Sequence, residues 1–237
     1  MPLVGEGTCG SPYEIASLEN LYWIASNTAN WNKHYIQTAD IDASETTTWF
    51  SGAGWMPIGN VSTKFTGTYN GNAHTIENLY INRPTEYYIG FIGYQRTGTI
   101  KDLGLISVNY TGKAYIGALV GYARSSDNIN IYRCYANGIV KSSGETQYPS
   151  IGGLIGWTND YTNIYDSYCK TTVQPAGYYT DSYAGGFIGY HDGRSTINNC
   201  YSSGSVISAN SYSGGFAGVV AGTFDPIINK SFWDTQA

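Results

Sequence analysis

The sequence predicts an all-β protein of the parallel β-helix, or β-solenoid, class, with three short strands in each coil. Composition is the first reason: 30 of the 237 residues are Gly and 23 are Tyr, while Asp, Glu, Lys and Arg together make up 12%. This composition is typical of turns and pleated strands rather than of amphipathic helices. The second reason is a glycine-framed string that occurs five times, and the third is the period at which it returns.

The glycine-framed string places glycines on both sides of a short apolar segment. Its copies are residues 88–94, 115–122, 151–157, 182–190 and 212–219. A second recurrent segment starts at Ile76, Ile100, Ile131, Ile164, Ile197 and Ile228, at intervals of 24, 31, 33, 33 and 31 residues. A coil of about 31–33 residues is therefore predicted, because each repeat can bury its apolar face only against its neighbours. Each coil would hold an isoleucine-led strand, a short Gly-x-Val-like strand and the glycine-framed strand.

A β-propeller is the all-β alternative. Its blade of four antiparallel strands needs about 40–45 residues, which is longer than the period found here. The sequence therefore favours the β-solenoid, with about six regular coils that rise ~4.8 Å each.

The first 34 residues are predicted to form an N-terminal cap, and residues 35–237 the β-helix, with regular coils from about residue 75. Apolar residues at helical spacing follow Ser17, a good N-cap, so we expect a short helix that covers the first open coil. The chain opens without a signal-peptide pattern and its last residues directly follow a repeat strand. We therefore expect a piece of a longer protein.

The glycine-framed strings resemble the GLUG-motif repeats of bacterial and archaeal surface proteins, which include filamentous-haemagglutinin-like adhesins. Four further segments resemble the sequences that flank such repeat arrays: residues 11–15, 38–42, 65–71 and 231–234. The resemblance implies a right-handed parallel β-helix and an extracellular or cell-surface, adhesin-like setting, with no catalytic residues to carry over. The chain departs from the pattern at Ile89-Gly90, at Ala118 and at residues 217–219, which would mark irregular first and last coils.

Stacked coils would turn three aromatic columns into ladders. The columns are Tyr94, Tyr122, Trp157, Tyr190 and Val219; Tyr87, Tyr115, Ser150, Tyr183 and Tyr212; and Tyr135, Tyr168, Tyr201 and Phe232. The ladders would either stiffen the coil or offer rings to a ligand. In a straight strand of residues 183–190, both faces carry large apolar groups. One row would then face outwards, to be covered by insertions, by another domain, by a ligand or by self-association, and we expect one tyrosine ladder to be partly exposed.

Candidate binding residues come from two insertions and from the ladders. Insertions 142–149 and 174–182 precede neighbouring glycine-framed strands, so they should lie side by side. The predicted binding residues are Tyr148, Tyr178, Tyr179, Asp181, Tyr183, Tyr115 and Tyr212. The insertions could equally be solvated turns.

Other site classes find little support in the sequence. A net charge of −5 without a basic cluster argues against nucleic-acid binding, and no apolar run approaches the ~20 residues that span a bilayer, so no membrane insertion is expected. Asp40 and Asp42, and the His191-Asp192 pair, are interpreted as turn residues rather than catalytic groups. No cofactor, metal site or disulfide is predicted, since Cys134 and Cys200 would lie two coils apart, ~9.6 Å, beyond disulfide reach.

The function expected from the sequence is a non-enzymatic, adhesin-like surface module: a rigid rod that presents loops and an aromatic face to a surface glycan or protein. The alternative is a carbohydrate-active enzyme, a polysaccharide lyase or glycoside hydrolase, by analogy with other β-helices. An ice-binding protein is a third interpretation, which would need a regular threonine column; Thr75, Thr99 and Thr196 are its candidates.

Overall fold

A computed structural model describes residues 3–144, 146, 148–176, 182–207, 212–222 and 225–235. The chain forms a parallel β-solenoid of about six turns built from three parallel sheets, which confirms the predicted fold class. Within these ranges, the strands are accompanied by one α-helix, α1 (Leu18–Ser26), and by 3-10 segments at Thr28–Asn30 and Ser44–Gly52.

The strands of the described residues are β1 (Tyr13–Ile15), β2 (His34–Gln37), β3 (Ile41–Asp42), β4 (Thr68–Asn70), β5 (Thr75–Glu77), β6 (Tyr80–Ile89), β7 (Ile92–Gln95), β8 (Gly98–Lys101), β9 (Gly104–Gly117), β10 (Val120–Arg124), β11 (Ile129–Tyr132), β12 (Tyr135–Ser142), β13 (Ser150–Gly152), β14 (Ile155–Asn159), β15 (Thr162–Tyr165), β16 (Tyr168–Gln174), β17 (Tyr183–Gly185), β18 (Ile188–His191), β19 (Thr196–Asn198), β20 (Tyr201–Ser202), β21 (Ser213–Gly214), β22 (Ala217–Val220), β23 (Ile227–Asn229) and β24 (Phe232–Trp233).

Each sheet collects one side of successive coils. Sheet 1 has the order β1-β2-β4-β8-β11-β15-β19-β23. Sheet 2 runs β21-β17-β13-β9-β12-β16-β20-β24, and β3, β5 and β6 extend it through pairing with β9 and with each other. Sheet 3 runs β22-β18-β14-β10-β7.

The core is a set of aliphatic columns inside the coils. In sheet 1, Ile100, Ile131, Ile164 and Ile197 are in register and fully buried. In sheet 3 the column is Ile92, Val120, Ile155 and Ile188, also fully buried. Burying such a side chain stabilises the fold by about 1.5–3 kcal/mol relative to leaving it exposed. The recurrent isoleucines therefore fix the register of the coils.

One predicted column was wrong at its start. Ile76 lies on β5 in sheet 2 and pairs with Leu105, whereas the residue in register with Ile100 in sheet 1 is Tyr69. The true interval is thus 31 residues rather than 24, because the early coil uses tyrosine at the core position. Thr75 also leaves the predicted threonine column, since it pairs with Gly104.

The sequence had suggested that the isoleucine-led segment is one strand. In the structure, this segment contains a corner at which the chain passes from sheet 1 into sheet 2. The corner residue has a positive φ in successive coils, at Asp102 (54°), Arg133 (52°), Asp166 (49°), Asn199 (55°) and Lys230 (46°). A left-handed residue redirects the chain between two straight strands. The corner is polar because its side chains project outwards: Arg133 Nε donates to Asp102 Oδ1 across one rung at 2.6 Å.

The predicted capping helix is present as α1. Ser17 Oγ accepts from the backbone N–H of Asn20 at 3.4 Å, as an N-cap does. Its buried face is Leu18, Leu21, Ile24 and Ala25. Parallel pairing of β1 with β2 carries sheet 1 back to Tyr13, within the segment predicted as the cap; the domain boundary at residue 34 stays a prediction.

All four cysteines are free thiols, of which Cys134, Cys169 and Cys200 are buried and Cys9 is exposed. Burial raises the pKa of each buried thiol to about 12. These thiols are therefore protonated at neutral pH and pack as small apolar groups.

Candidate functional site

The glycine-framed string is a corner between two sheets, where the sequence had suggested one continuous strand. In the best-framed copy, β17 ends at Gly185 in sheet 2, Gly186 and Phe187 form the turn, and β18 begins at Ile188 in sheet 3. The same break separates β13 from β14 and β21 from β22. The motif thus joins sheet 2 to sheet 3 in each coil.

The glycines are needed because the backbones of two sheets meet at this corner. A Cβ on Gly185 would lie 1.9 Å from the carbonyl oxygen of Ile188, and one on Gly189 would lie 2.5 Å from the backbone nitrogen of Ile151. Real Cβ atoms do not approach backbone so closely, so only glycine fits. In the first copy the turn is shorter: Ile89 and Ile92 pair with Ile116 and Val120, three residues apart instead of four.

The corner resets the inside–outside alternation of side chains. Phe187 and Ile188 are both fully buried, and the ring of Phe187 stacks on that of Phe216 at 4.8 Å in the core. Tyr183 and Tyr190, predicted to lie on opposite faces of one strand, instead have ring centroids 5.0 Å apart. The two opposite rows expected of a straight strand are therefore not formed, because Phe187 and Ile188 both face the core. Self-association through an outward apolar row stays a prediction.

The two tyrosine columns that flank the glycines form one continuous surface, which we call the aromatic edge. Ring contacts link every member to a neighbour at 4.2–6.2 Å. The tightest is Trp157 stacked on Tyr190 at 4.2 Å, and Tyr94 meets Tyr122 edge to face at 4.9 Å. Each such pair contributes about 0.5–1.5 kcal/mol beyond area burial. The members are Tyr87, Tyr88, Tyr94, Tyr115, Tyr122, Tyr148, Trp157, Tyr183, Tyr190 and Tyr212.

Part of the aromatic edge is open to solvent, which confirms the expected exposure of a tyrosine ladder. Tyr87 is 43% exposed and Tyr212 44% exposed, while Tyr94 lies beneath its neighbours at 7%. Burial raises the pKa of the Tyr122 hydroxyl to about 12, and burial followed by the neighbouring Tyr87 hydroxyl raises that of Tyr115. These two hydroxyls are neutral at physiological pH and can both donate and accept hydrogen bonds.

Backbone strain accompanies the aromatic edge. Tyr88, Tyr115 and Tyr148 have φ values of 64°, 54° and 60°. For a bulky side chain this left-handed conformation is an outlier that costs on the order of 1–3 kcal/mol, and such outliers cluster at functional sites. The surrounding ring contacts hold at least Tyr88 and Tyr115 in place, since their rings stack at 5.3 Å.

The structure brings four of the predicted binding residues together. Tyr115, Tyr183 and Tyr212 belong to the aromatic edge, and Tyr148 joins it through its ring, 5.9 Å from that of Tyr183. The remaining three, Tyr178, Tyr179 and Asp181, lie outside the described residues. The third ladder forms separately on sheet 2, where Tyr135 and Tyr168 stack at 5.0 Å.

A second aromatic site near the cap was not found from the sequence. Tyr22 on α1 meets Trp49 edge to face at 5.2 Å, and with Phe50 they line an open pocket of about 340 Å³. Phe50 is half exposed at a φ of 50°. These residues lie outside the repeats, so no column marks them; only the density of aromatic residues in 49–55 could have drawn attention to them.

The sequence had suggested that His191 and Asp192 form a turn. In the structure, His191 is instead the last residue of β18, and its side chain lies in the core. Its Nδ1 lies 2.8 Å from Thr158 Oγ1, and burial lowers its pKa to about 4. His191 is therefore a neutral core residue. Within the described ranges, no three His, Cys, Asp or Glu side chains are grouped closely enough to hold a metal ion. No helix in the described part of the chain is long and apolar enough to cross a bilayer.

Two curated proteins share sequence with this chain. Halomucin of Haloquadratum walsbyi is 37% identical over 156 residues, which are 64% of this chain but 2% of halomucin. A protein described as "Putative Gly-rich membrane protein", from Evansella cellulosilytica, is 34% identical over 126 residues, 49% of this chain and 14% of that protein. The chain therefore spans only a small part of the length of either relative.

A crystal structure described as that of a "putative immunoglobulin A1 protease" from Bacteroides ovatus has the same architecture. It matches with a TM-score of 0.62 at 17% identity, over 97% of this chain and 77% of the other. At that identity the likeness shows the fold alone.

Residues 180–207 match the family described as "The GLUG motif", as the resemblance predicted. The corner at Gly185-Gly186 lies inside the matched residues. This chain is therefore a parallel β-solenoid that carries the GLUG motif, and in the matched copy the motif forms the corner beneath the aromatic edge.

Proposed function

We propose that the chain is a non-enzymatic, adhesin-like surface module, a rigid rod whose aromatic edge binds a carbohydrate or protein partner. The observation that carries the proposal is the continuous run of tyrosine and tryptophan rings along one edge of the solenoid, part of it exposed. Tyrosine and tryptophan present a flat apolar face with a polar handle, a chemistry suited to sugar rings and to protein surfaces.

The strain in the edge supports a binding role. Stacking alone does not require Tyr88 and Tyr115 to hold a left-handed backbone, since the pair formed by Tyr135 and Tyr168 stacks without it. The cation of Lys113 lies 5.1 Å from the ring of Tyr87, which adds a charged group beside the exposed rings. A surface of rings, hydroxyls and a cation offers several contacts to one partner.

The acidic residues favour a non-enzymatic role. Asp40 accepts from the backbone N–H of Thr75 at 2.8 Å, and Asp42 accepts from Asn78 Nδ2 at 3.0 Å. These hydrogen bonds are the main cause of a lowered pKa at each carboxyl. A glycosidase acid needs a raised pKa and a partner carboxylate about 5–9.5 Å away across a groove, so this pair fits a structural role better.

A location at the cell surface is part of the proposal. It is supported by the names of the two relatives, a halomucin and a glycine-rich membrane protein, and by the surface setting that the GLUG resemblance implies.

A glycan array, run beside a panel of surface proteins, tests the proposal. We expect wild-type protein to bind a subset of ligands, and a Tyr115→Ala/Tyr183→Ala variant to bind them at least about tenfold more weakly, because it loses two rings worth roughly 1 kcal/mol each. Tyr168→Ala is the matched control, since it removes a 38% exposed tyrosine from the separate ladder. Unchanged binding by the double variant, or an equal loss in the control, would contradict the role of the aromatic edge.

A further inference from the structure

A polar cleft lies at the ends of three sheet 3 strands, on the side that leads into sheet 1. Its volume is about 580 Å³. Arg96 follows β7, Arg124 ends β10, and Asp160 and Tyr161 form the turn after β14. We call it the arginine cleft. It touches the aromatic edge only at Tyr94, and none of the predicted binding residues lines it.

Two unpaired arginines on adjacent rungs form one wall. Gln95 pairs with Ala123, so Arg96 and Arg124 occupy the same column one coil apart, about 4.8 Å by strand spacing. Both are exposed, and neither guanidinium has a hydrogen bond or an ion pair with another described residue.

The other arginines of the chain are engaged. Arg83 pairs with Glu86, Arg133 pairs with Asp102, and Arg194 donates to the Tyr161 hydroxyl at 2.6 Å. Acidic residues outnumber basic ones by 17 to 12, so partners for Arg96 and Arg124 are not scarce. Two like charges one rung apart disfavour each other, and a bound anion relieves that repulsion.

On the next rung, the cleft is lined by a strained turn that carries a carboxylate. Asp160 and Tyr161 have φ values of 49° and 43°. Because Thr158 pairs with His191, the residue that aligns with Asp160 in the next coil is Gly193, which has a φ of 70°. The carboxylate of Asp160 receives only a long contact from the backbone N–H of Arg194, at 3.4 Å. A residue with a free acceptor thus stands where glycine would be less strained.

These features together select the class of ligand. Two guanidiniums suit a carboxylate, which they bind in a planar, bidentate manner. The Asp160 carboxylate accepts from hydroxyl groups. An inorganic anion would not use Asp160, and a neutral sugar would not use the arginine pair. A volume of 580 Å³ lies within the range of ligand sites.

We infer that the arginine cleft binds an acidic sugar, one that carries a carboxylate on a hydroxylated ring. The inference deepens the proposed surface-binding function and rests on it, although the residues involved are distinct from the exposed tyrosines of the aromatic edge.

Calorimetric titration of the whole protein at low ionic strength tests the inference with three probes: glucuronate, glucose and inorganic sulfate. We expect glucuronate to bind, and to bind at least about tenfold more weakly to Arg96→Gln/Arg124→Gln. Lys141→Gln/Lys170→Gln, on sheet 2, removes the same charge elsewhere and should bind as wild type does. Asp160→Gly should weaken glucuronate binding while the melting temperature holds or rises, because glycine relieves the turn.

The inference would be overturned if glucuronate still bound after loss of both arginines, or if the lysine control lost as much binding. It would also be overturned if glucose bound as tightly as glucuronate. The same holds if sulfate bound as tightly as glucuronate and Asp160→Gly had no effect on glucuronate binding. Tyr115→Ala/Tyr183→Ala should retain glucuronate binding. The failure of the aromatic edge and the failure of the arginine cleft are thus measured by different variants.

Discussion

Among single residues, His191 shows how a core position can make stability depend on pH. Its ring is fully buried, and burial lowers its pKa to about 4, from 6.5. The unfolded chain therefore binds a proton between pH 6.5 and 4 that the folded protein excludes. The stabilising contribution is complete above pH 6.5 and is lost as the pH falls towards 4.

We predict that the free energy of unfolding falls by about 2–3 kcal/mol between pH 7 and pH 4.5 because of His191 alone. His191→Gln should flatten this slope, and glutamine is already accommodated in the same column at the fully buried Gln95. Urea denaturation at a series of pH values measures the effect. Parallel curves for the two proteins would show that His191 does not exclude the proton.

At the scale of the strand and its turn, the sequence revealed the repeated glycine-framed strings but not the corner that each of them forms. A pattern of period two assumes an unbroken strand, and nothing in residues 183–190 marks the point where the chain turns from sheet 2 to sheet 3. The information lies in contacts between coils: a Cβ on Gly185 would meet the backbone nitrogen of Gly218, 33 residues away, at 2.6 Å. The corner, and the pairing of Tyr183 with Tyr190, therefore needed the structure.

The close approach of backbone atoms at the corner predicts that any side chain at Gly185 would destabilise the fold. Gly185→Ala should lower the free energy of unfolding by about 1–3 kcal/mol or more, because its Cβ would overlap the carbonyl oxygen of Ile188. Gly10→Ala is the control, since a Cβ there meets no atom within 4 Å. Thermal unfolding of both variants measures the difference. Similar melting temperatures would mean that the corner is looser than the structure indicates.

For the whole molecule, the sequence predicted the parallel β-solenoid, its period and a helix near the N-terminus, because these features repeat or follow local rules. It misplaced Ile76, since the early coils carry Tyr69 where later coils carry isoleucine. It missed the arginine cleft because Arg96 and Arg124 become neighbours only through the register of two coils. The account as a whole depends on the corner, which gathers two tyrosine columns into one exposed edge.

The most direct test of that claim is a nuclear Overhauser measurement between the aromatic rings of Tyr183 and Tyr190, assigned with the Tyr183→Phe variant. The corner places the ring centroids 5.0 Å apart, so a cross-peak is predicted. A straight strand of the same eight residues would separate its two ends by about 23 Å. If the protein is well folded and the cross-peak is absent, the two rings are not in contact, and this result would contradict the account.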